Sequence, residues 1–238
     1  MAKPTDDWTV LPHEPTVRLA ENLRWVRGTL PRITLKRVMT IARLGDGGLV
    51  IHNGIALGEP DMREIEAWGT PAFLIVPNGF HRQDAAAYKR RYPSLRVLAP
   101  RGSRAKIEQM VPVDGALEDF PADDTVRFEP LHGVADAEGA MLVRSSDGTT
   151  LVLTDVMFNM DRKDDILGFL FTTILGSAPG PRVSRLAKWL LVQDAAAVRS
   201  DLERWAELPD LQRLIVAHEK VAAGDDARAA LRAASTYL

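Results

Sequence analysis

Apolar side chains along this chain fall into short runs, the clearest at 72–76, Ala-Phe-Leu-Ile-Val, set between Pro71 and Pro77. A run this short with no polar position reads as a strand covered on both faces, and so as a central strand. Asn78-Gly79 follows as a turn dipeptide, and 82–92 has helical composition until Pro93 closes it. His81 and Asp84 therefore stand where a strand hands over to a helix, which is where open α/β architectures build their sites.

The remaining pattern predicts a layered α/β chain. Positions 22–27 alternate apolar and basic residues like a half-buried strand, and 38–44 with 49–52, joined by Asp46-Gly47-Gly48, predict a hairpin. A helix is expected over 59–68, with Pro60 early and Gly69 as terminator. A second short apolar run at 95–99 completes a strand-helix-strand unit, and 102–110 predicts a modest helix. Strand character returns at 126–131 and ends in His132-Gly133; 140–144 and 150–154, joined at Asp147-Gly148, predict a second hairpin ending in Asp155. Beyond it, 156–175 is an irregular mixture of aromatics, methionine and charge, and 183–207 is helical in composition. A last short strand at 214–217 leads into His218, and 224–237 is an alanine-rich terminal helix.

Composition narrows the partners. The chain has 238 residues, 46% of them hydrophobic and 26% charged, with a net charge of -2. That suits one sizeable core, and with no linker in sight a single domain over 1–238 is expected. The basic residues are scattered among acids, so neither nucleic acid nor an anionic membrane is an expected partner. Met1 to Asp7 lacks an apolar signal core and the longest apolar run is too short to span a bilayer, so a cytoplasmic protein is expected. The absence of cysteine leaves only histidine and carboxylate to hold a metal.

Three separate strands end in a residue able to bind metal, at His132, Asp155 and His218, and His81 with Asp84 follows a fourth. Ligands converging from several strand ends can preset a coordination geometry and leave a position open for water. Singly, each has a structural reading: His132 as a turn residue, Asp155 as a helix cap, Asp84 as an acid at a helix start, Asn78 as the turn itself. His13, in a Pro-flanked segment, and His52, at an early strand end, stay outside the candidate set. The apolar positions after Asp155, including Phe158 and Phe169, suit a pocket wall and equally a homodimer contact.

These motifs in this order resemble the metallo-β-lactamase fold superfamily over positions 18–219. They resemble most a branch with a degenerate first metal motif: Pro77-Asn78-Gly79-Phe80-His81, then Thr154-Asp155-Val-Met-Phe158-Asn159, then Ala217-His218. The resemblance implies a four-layer αββα sandwich of two mixed β-sheets with the site at one edge. It implies His81, His132, Asp155 and His218 as metal ligands and Asp155 and Asp84 as catalytic carboxylates; the segment after Asp155 supplies the expected substrate contacts, Phe158, Asn159 and Phe169. The superfamily's first motif, H-x-H-x-D-H, is reduced here to Asn78, His81 and Asp84, which points to one divalent metal, zinc ahead of iron or manganese, rather than a two-metal clamp. The expected function is metal-dependent hydrolysis of a small ester, thioester, amide or lactone; the alternative is a catalytically silent relative that binds a ligand or partner, with no metal held.

Overall fold

The computed structural model describes residues 7–31 and 33–238; the polar segment at 1–6 lies outside them. Seven strands form the first sheet in sequence order: β1 (Val17–Ala20), β2 (Leu23–Leu30), β3 (Ile33–Arg43), β4 (Gly48–His52), β5 (Thr70–Ile75), β6 (Arg96–Ala99) and β7 (Gly115–Ala116). β1 to β4 are an antiparallel meander, and β4 to β7 are parallel, as the intervening helices α1 (Glu59–Trp68), α2 (Ala85–Arg91) and α3 (Arg104–Ile107) require. The second sheet holds β8 (Val126–Pro130), β9 (Gly139–Ser145), β10 (Gly148–Val152), β11 (Leu211–Ile215) and β12 (Val221–Ala223) in the order β12-β11-β10-β9-β8. Its one parallel pair, β10 with β11, spans the excursion carrying α4 (Ile166–Phe169), α5 (Arg185–Leu190) and α6 (Ala195–Ala206); α7 (Asp225–Ser235) ends the chain.

Alternation along the strands sorts side chains into three layers of core. In β4, Val50 packs between the sheets while Leu49 and Ile51 face the first helical layer; in β9, Met141 and Val143 point inward while Ala140 and Leu142 face the second. Period-two alternation with both faces apolar is what a sheet buried on both sides demands. The inner cluster joins Val38, Val50 and Ile75 to Met141, Val152 and Ile215, α1 and α2 cover the outside of the first sheet, and α6 and α7 cover the second. The architecture is thus the expected αββα sandwich of two mixed sheets, with β5 interior in the first.

Two departures from the sequence pattern have clear causes. The helix expected over 102–110 shrinks to a 3₁₀ turn and the single turn of α3. Gly102 N–H donates to the Asp136 carbonyl (2.8 Å), and the Ala135 carbonyl lies where a side chain on residue 102 would stand, so this backbone anchors the loop before β9. β3 also begins well before position 38, because Lys36 and Arg37 hide the alternation; they pair with Thr29 and Gly28 on β2.

That early part of β3 ties the layers together. Val38 N–H donates to the Ala217 carbonyl (2.8 Å), linking the two sheets at one edge. Beside it, Arg37 Nη2 meets Asp84 Oδ2 at 2.6 Å with both side chains 4% exposed, and the same oxygen accepts from Ala56 N–H at 3.1 Å. Asp84 is therefore the buried pin between β3 and the start of α2. A carboxylate in this position, removed from its guanidinium, leaves an uncompensated charge in the core. Asp84→Ala should lower stability by about 3–5 kcal/mol, read by chemical denaturation; a loss within experimental error would show that the pair is not holding α2.

His52, buried at the end of β4, gives the fold a pH signature. Burial, and secondly the charge of His81, hold its imidazole down to about 3 against an ordinary 6.5. The unfolded chain therefore binds a proton that the folded chain refuses, so this contribution to stability is complete above pH 6.5 and is lost as the pH falls toward 3. Unfolding free energy should fall across that window with a slope of about one proton, and His52→Leu should flatten it. An unchanged slope in the variant would rule His52 out as its source.

Candidate metal and active site

The turn after β5 builds the first side of the site. Asn78 Oδ1 accepts the backbone N–H of Phe80 (2.8 Å) and of His81 (3.1 Å), closing the turn as an Asx motif and aiming His81 back across the sheet edge. The same amide has a second role. Its Nδ2 donates to Asp155 Oδ2 (2.9 Å) and to Glu138 Oε1 (2.5 Å), so the turn also fixes the carboxylate that follows β10.

Asp155 is the centre of the arrangement. Its Oδ1 lies 2.9 Å from His81 Nε2 and 3.1 Å from His218 Nε2, and the three ligand atoms fall within 4.8 Å of one another. The opposite nitrogens are committed elsewhere. His218 Nδ1 must donate to the Lys36 carbonyl (2.9 Å), since a carbonyl can only accept. Asn53 uses its Nδ2 on the Val38 carbonyl (2.7 Å) and so presents Oδ1 to His81 Nδ1 at 3.1 Å. With Nδ1 protonated on both rings, both Nε2 atoms face one anionic oxygen, and positive charge, as protons or a cation, has to lie between them.

Electrostatics follow from that crowding. Burial raises the Asp155 carboxyl, but the His81 charge and hydrogen bonds from His218 and His81 outweigh it and hold the group well below the usual carboxylate range. Burial likewise depresses His218, and the bond to Asp155 more than restores it, so this imidazole is more basic than usual. Glu138 is the counterexample: burial, then repulsion from Asp155, push it up to about 8 even though Asn78 and the N–H groups of Asp155 and Val156 all donate to it.

A tetrahedral ion with bonds of about 2.0–2.1 Å separates its ligands by about 3.4 Å; the three ligand atoms lie within 4.8 Å of one another, and the Asp155 oxygen, at 2.9 and 3.1 Å from the imidazole nitrogens, would move apart from them by a few tenths of an ångström to share an ion. Two imidazole nitrogens with fixed tautomers plus one carboxylate oxygen are a fitting donor set for a single zinc or iron ion with positions left for water. Acceptors on both Nδ1 atoms are the outer partners that metal-bound histidines use.

The structure brings together His81, Asp155 and His218 and places the other candidates elsewhere. His132 is 63% exposed; its Nδ1 and backbone N–H both bond Asp201 Oδ2 on α6, at 2.9 and 2.7 Å. It stands outside the cluster because a helix from the far side of the second sheet claims it first. Asp84 is sealed into its pair with Arg37 and does not reach Asp155. Phe158 lines the cavity and stacks on His218, with centroids 5.3 Å apart and planes at 15°. Asn159 instead forms a β-bridge to Glu219, and Phe169 is exposed, while the nearby Phe171 lines the cavity.

Glu138 and Asn53 were not among the sequence candidates. Asn53-Gly54 directly after the His52 strand end was a visible turn signal, and an acid immediately before the apolar strand β9 was a second; neither spacing announces a ligand.

A cavity of about 640 Å³ opens over the cluster. Arg37, Asn53, His81, Asp155 and His218, with Arg82 and Gln83, give it a polar lining, and leucines and phenylalanines, most from β2, β3 and the 158–191 excursion, an apolar one.

No protein-family model matches the chain, and no curated protein matches it. Solved structures do. The crystal structure of DIM-1 metallo-β-lactamase exposed to ceftazidime covers 96% of this chain and 99% of its own, at 12% identity and a TM-score of 0.64. A metallo-β-lactamase from Erythrobacter litoralis, with β-mercaptoethanol in its active site, covers 94% and 96% at 16% identity and a TM-score of 0.61. The mono-zinc form of FIM-1 from Pseudomonas aeruginosa covers 95% and 97% at 13% identity and a TM-score of 0.57. At such identities the likeness is one of architecture, and by architecture this chain has the metallo-β-lactamase fold.

Proposed function

We propose that this protein is a metal-dependent hydrolase of a small ester, thioester, amide or lactone, working with one divalent ion held by His81, Asp155 and His218, zinc ahead of iron or manganese. The observation that carries the reading is the meeting of two Nδ1-fixed imidazoles on one oxygen of Asp155, at the polar end of a cavity. When bound, the ion supplies Lewis acidity toward a carbonyl and acidifies a water. FIM-1, a protein of similar fold, has been solved in a mono-zinc form, which gives a single ion in this architecture a precedent.

The chain's own residues hold the arrangement. Lys36 and Asn53 keep both Nε2 atoms directed at the centre, and Asn78 occupies Oδ2 of Asp155 so that Oδ1 alone faces the histidines. Glu138 grips the backbone N–H groups of Asp155 and Val156, fixing where β10 releases the chain. Phe158, stacked on His218, closes one face of that ring to water. Asp84 has no part in proton transfer in this scheme, because it is buried against Arg37 and the Ala56 N–H.

Elemental analysis should find about one metal per chain, lost in Asp155→Ala and His218→Ala and kept in His132→Ala. Asn78→Ala should weaken metal affinity by about 10- to 100-fold, more than its role in the turn alone predicts. A screen of esters, thioesters and lactones with added zinc, iron or manganese should give turnover that disappears in chelator and in both ligand variants. Turnover undiminished by chelator, or in Asp155→Ala, would remove metal-dependent catalysis from this site.

A further inference from the structure

Arg37 contributes to the cavity wall, and little of its guanidinium is used by the protein. Nη2 is spent on Asp84, Nε is buried with no partner, and Nη1 makes no hydrogen bond among the described residues. A guanidinium has five donors in a rigid fork, and buried donors left unpaired cost free energy. Asp84 thus holds the group in place, and with Nε buried away from any ligand it is Nη1 that is left over among the described residues. The backbone on either side of Arg37 belongs to the site: the Lys36 carbonyl accepts from His218, and the Val38 carbonyl accepts from Asn53. Arg37 and the metal-ligand cluster therefore share one end of one cavity.

The opposite walls are aliphatic and aromatic. Leu30, Leu35, Phe171, Leu186 and Leu191 line them, and Leu190 and Leu167 carry the lining to the surface, where each is about half exposed. Next to them in sequence Ile166 is 88% and Trp189 81% exposed, while Arg82 and Gln83 add polar positions to the cavity lining. A largely apolar cavity with one guanidinium nitrogen left over at its polar end matches a molecule with a flexible hydrocarbon chain and an anionic end.

We infer that the cavity is a binding site for an aliphatic acyl group, with the chain along the leucine wall and the carboxylate end on Arg37. Naming the substrate an acyl ester or thioester rests on the hydrolase reading; the binding site for the free acid does not. Hydrolysis of such a substrate breaks the acyl C–O or C–S bond, adds the water's hydroxyl to the carbonyl carbon and gives the proton to the departing alcohol or thiol. The product is the carboxylic acid, which ionises to the carboxylate that Arg37 recognises.

Chelator-treated protein, which has no metal to bind a carboxylate, should bind octanoate saturably and about tenfold or more tighter than octanol in calorimetric titrations. Arg37→Lys keeps a cation for Asp84 but has no second nitrogen to offer a ligand, and should abolish that preference. Leu186→Trp, which puts a bulkier side chain on the apolar wall, should abolish octanoate binding with metal content unchanged. Equal binding of octanoate and octanol to wild type, a preference that survives Arg37→Lys, or undiminished octanoate binding in Leu186→Trp would each overturn the assignment. Absence of octanoyl-ester turnover by metal-loaded protein, with the octanoate preference intact, would remove the hydrolase reading and leave this binding site standing.

Discussion

One oxygen of Asp155 receives two imidazole nitrogens, and much of the local structure is arranged so that this can happen. An anion at that depth is costly unless cations or donors surround it. His81 arrives from the turn after β5, His218 from the end of β11, and Asp155 from the end of β10, so both sheets must be in register for the three to meet. The Val38 to Ala217 hydrogen bond fixes that register at the shared edge, and its neighbours Lys36 and Val38 supply the carbonyls that orient His218 and, through Asn53, His81. The early part of β3 is therefore as much a part of the site as the ligands are.

Glu138 shows how the same buried region carries a second acid. Two carboxylates this close cannot both ionise cheaply, and their environments divide the roles. Asp155 has the histidines and stays ionised; Glu138 has only neutral N–H donors and is pushed up to about 8. Its three donors tie the turn at Asn78 to the start of the excursion at Val156, so a group that reads as a repulsive neighbour holds the strand ends together. A positive ion beside Asp155 would lessen the repulsion, so metal binding and the ionisation of Glu138 are linked through one carboxylate.

Much of the architecture was legible because its signals are local. The hairpin of β3 and β4, the α1 boundaries at Glu59 and Trp68, the β5 run and the alanine-rich α7 follow from alternation, proline and glycine placement within a few residues. The site was legible only in part. Strand-end position separated His81, Asp155 and His218 from the background, but it selected His132 equally, and what excludes His132 is an aspartate sixty-nine positions away on α6. Asp84 misled for the same reason, since its partner Arg37 lies forty-seven residues upstream inside a strand whose charged positions disguised it. Long-range pairing decides which polar strand-end residue belongs to a site and which to the frame, and a single sequence contains no direct record of it.

The excursion between β10 and β11 has the opposite character. Its sequence is apolar without clear period, and the structure uses the residues unevenly: Phe158 and Phe171 pack edge to face with centroids 5.6 Å apart beside His218, while Ile166, Phe169 and Ile174 face outward. Over 161–175 only Gly168 and Thr172 are buried, so less of the stability of that stretch comes from the hydrophobic effect and more from a few caps, such as Asp165 accepting Gly168 N–H and, just beyond, Ser184 accepting Ala187 N–H. Those caps set only the first turn of each helix. A wall held this way can adjust to what lies against it more cheaply than the sheets behind it, where side chains are buried on both faces. The division is physical: His81, Asp155 and His218 sit at strand ends of the two sheets, and the part of the leucine wall that lies beyond the sheets, Leu167, Leu186 and Leu190, sits on the stretch more able to yield to what lies against it.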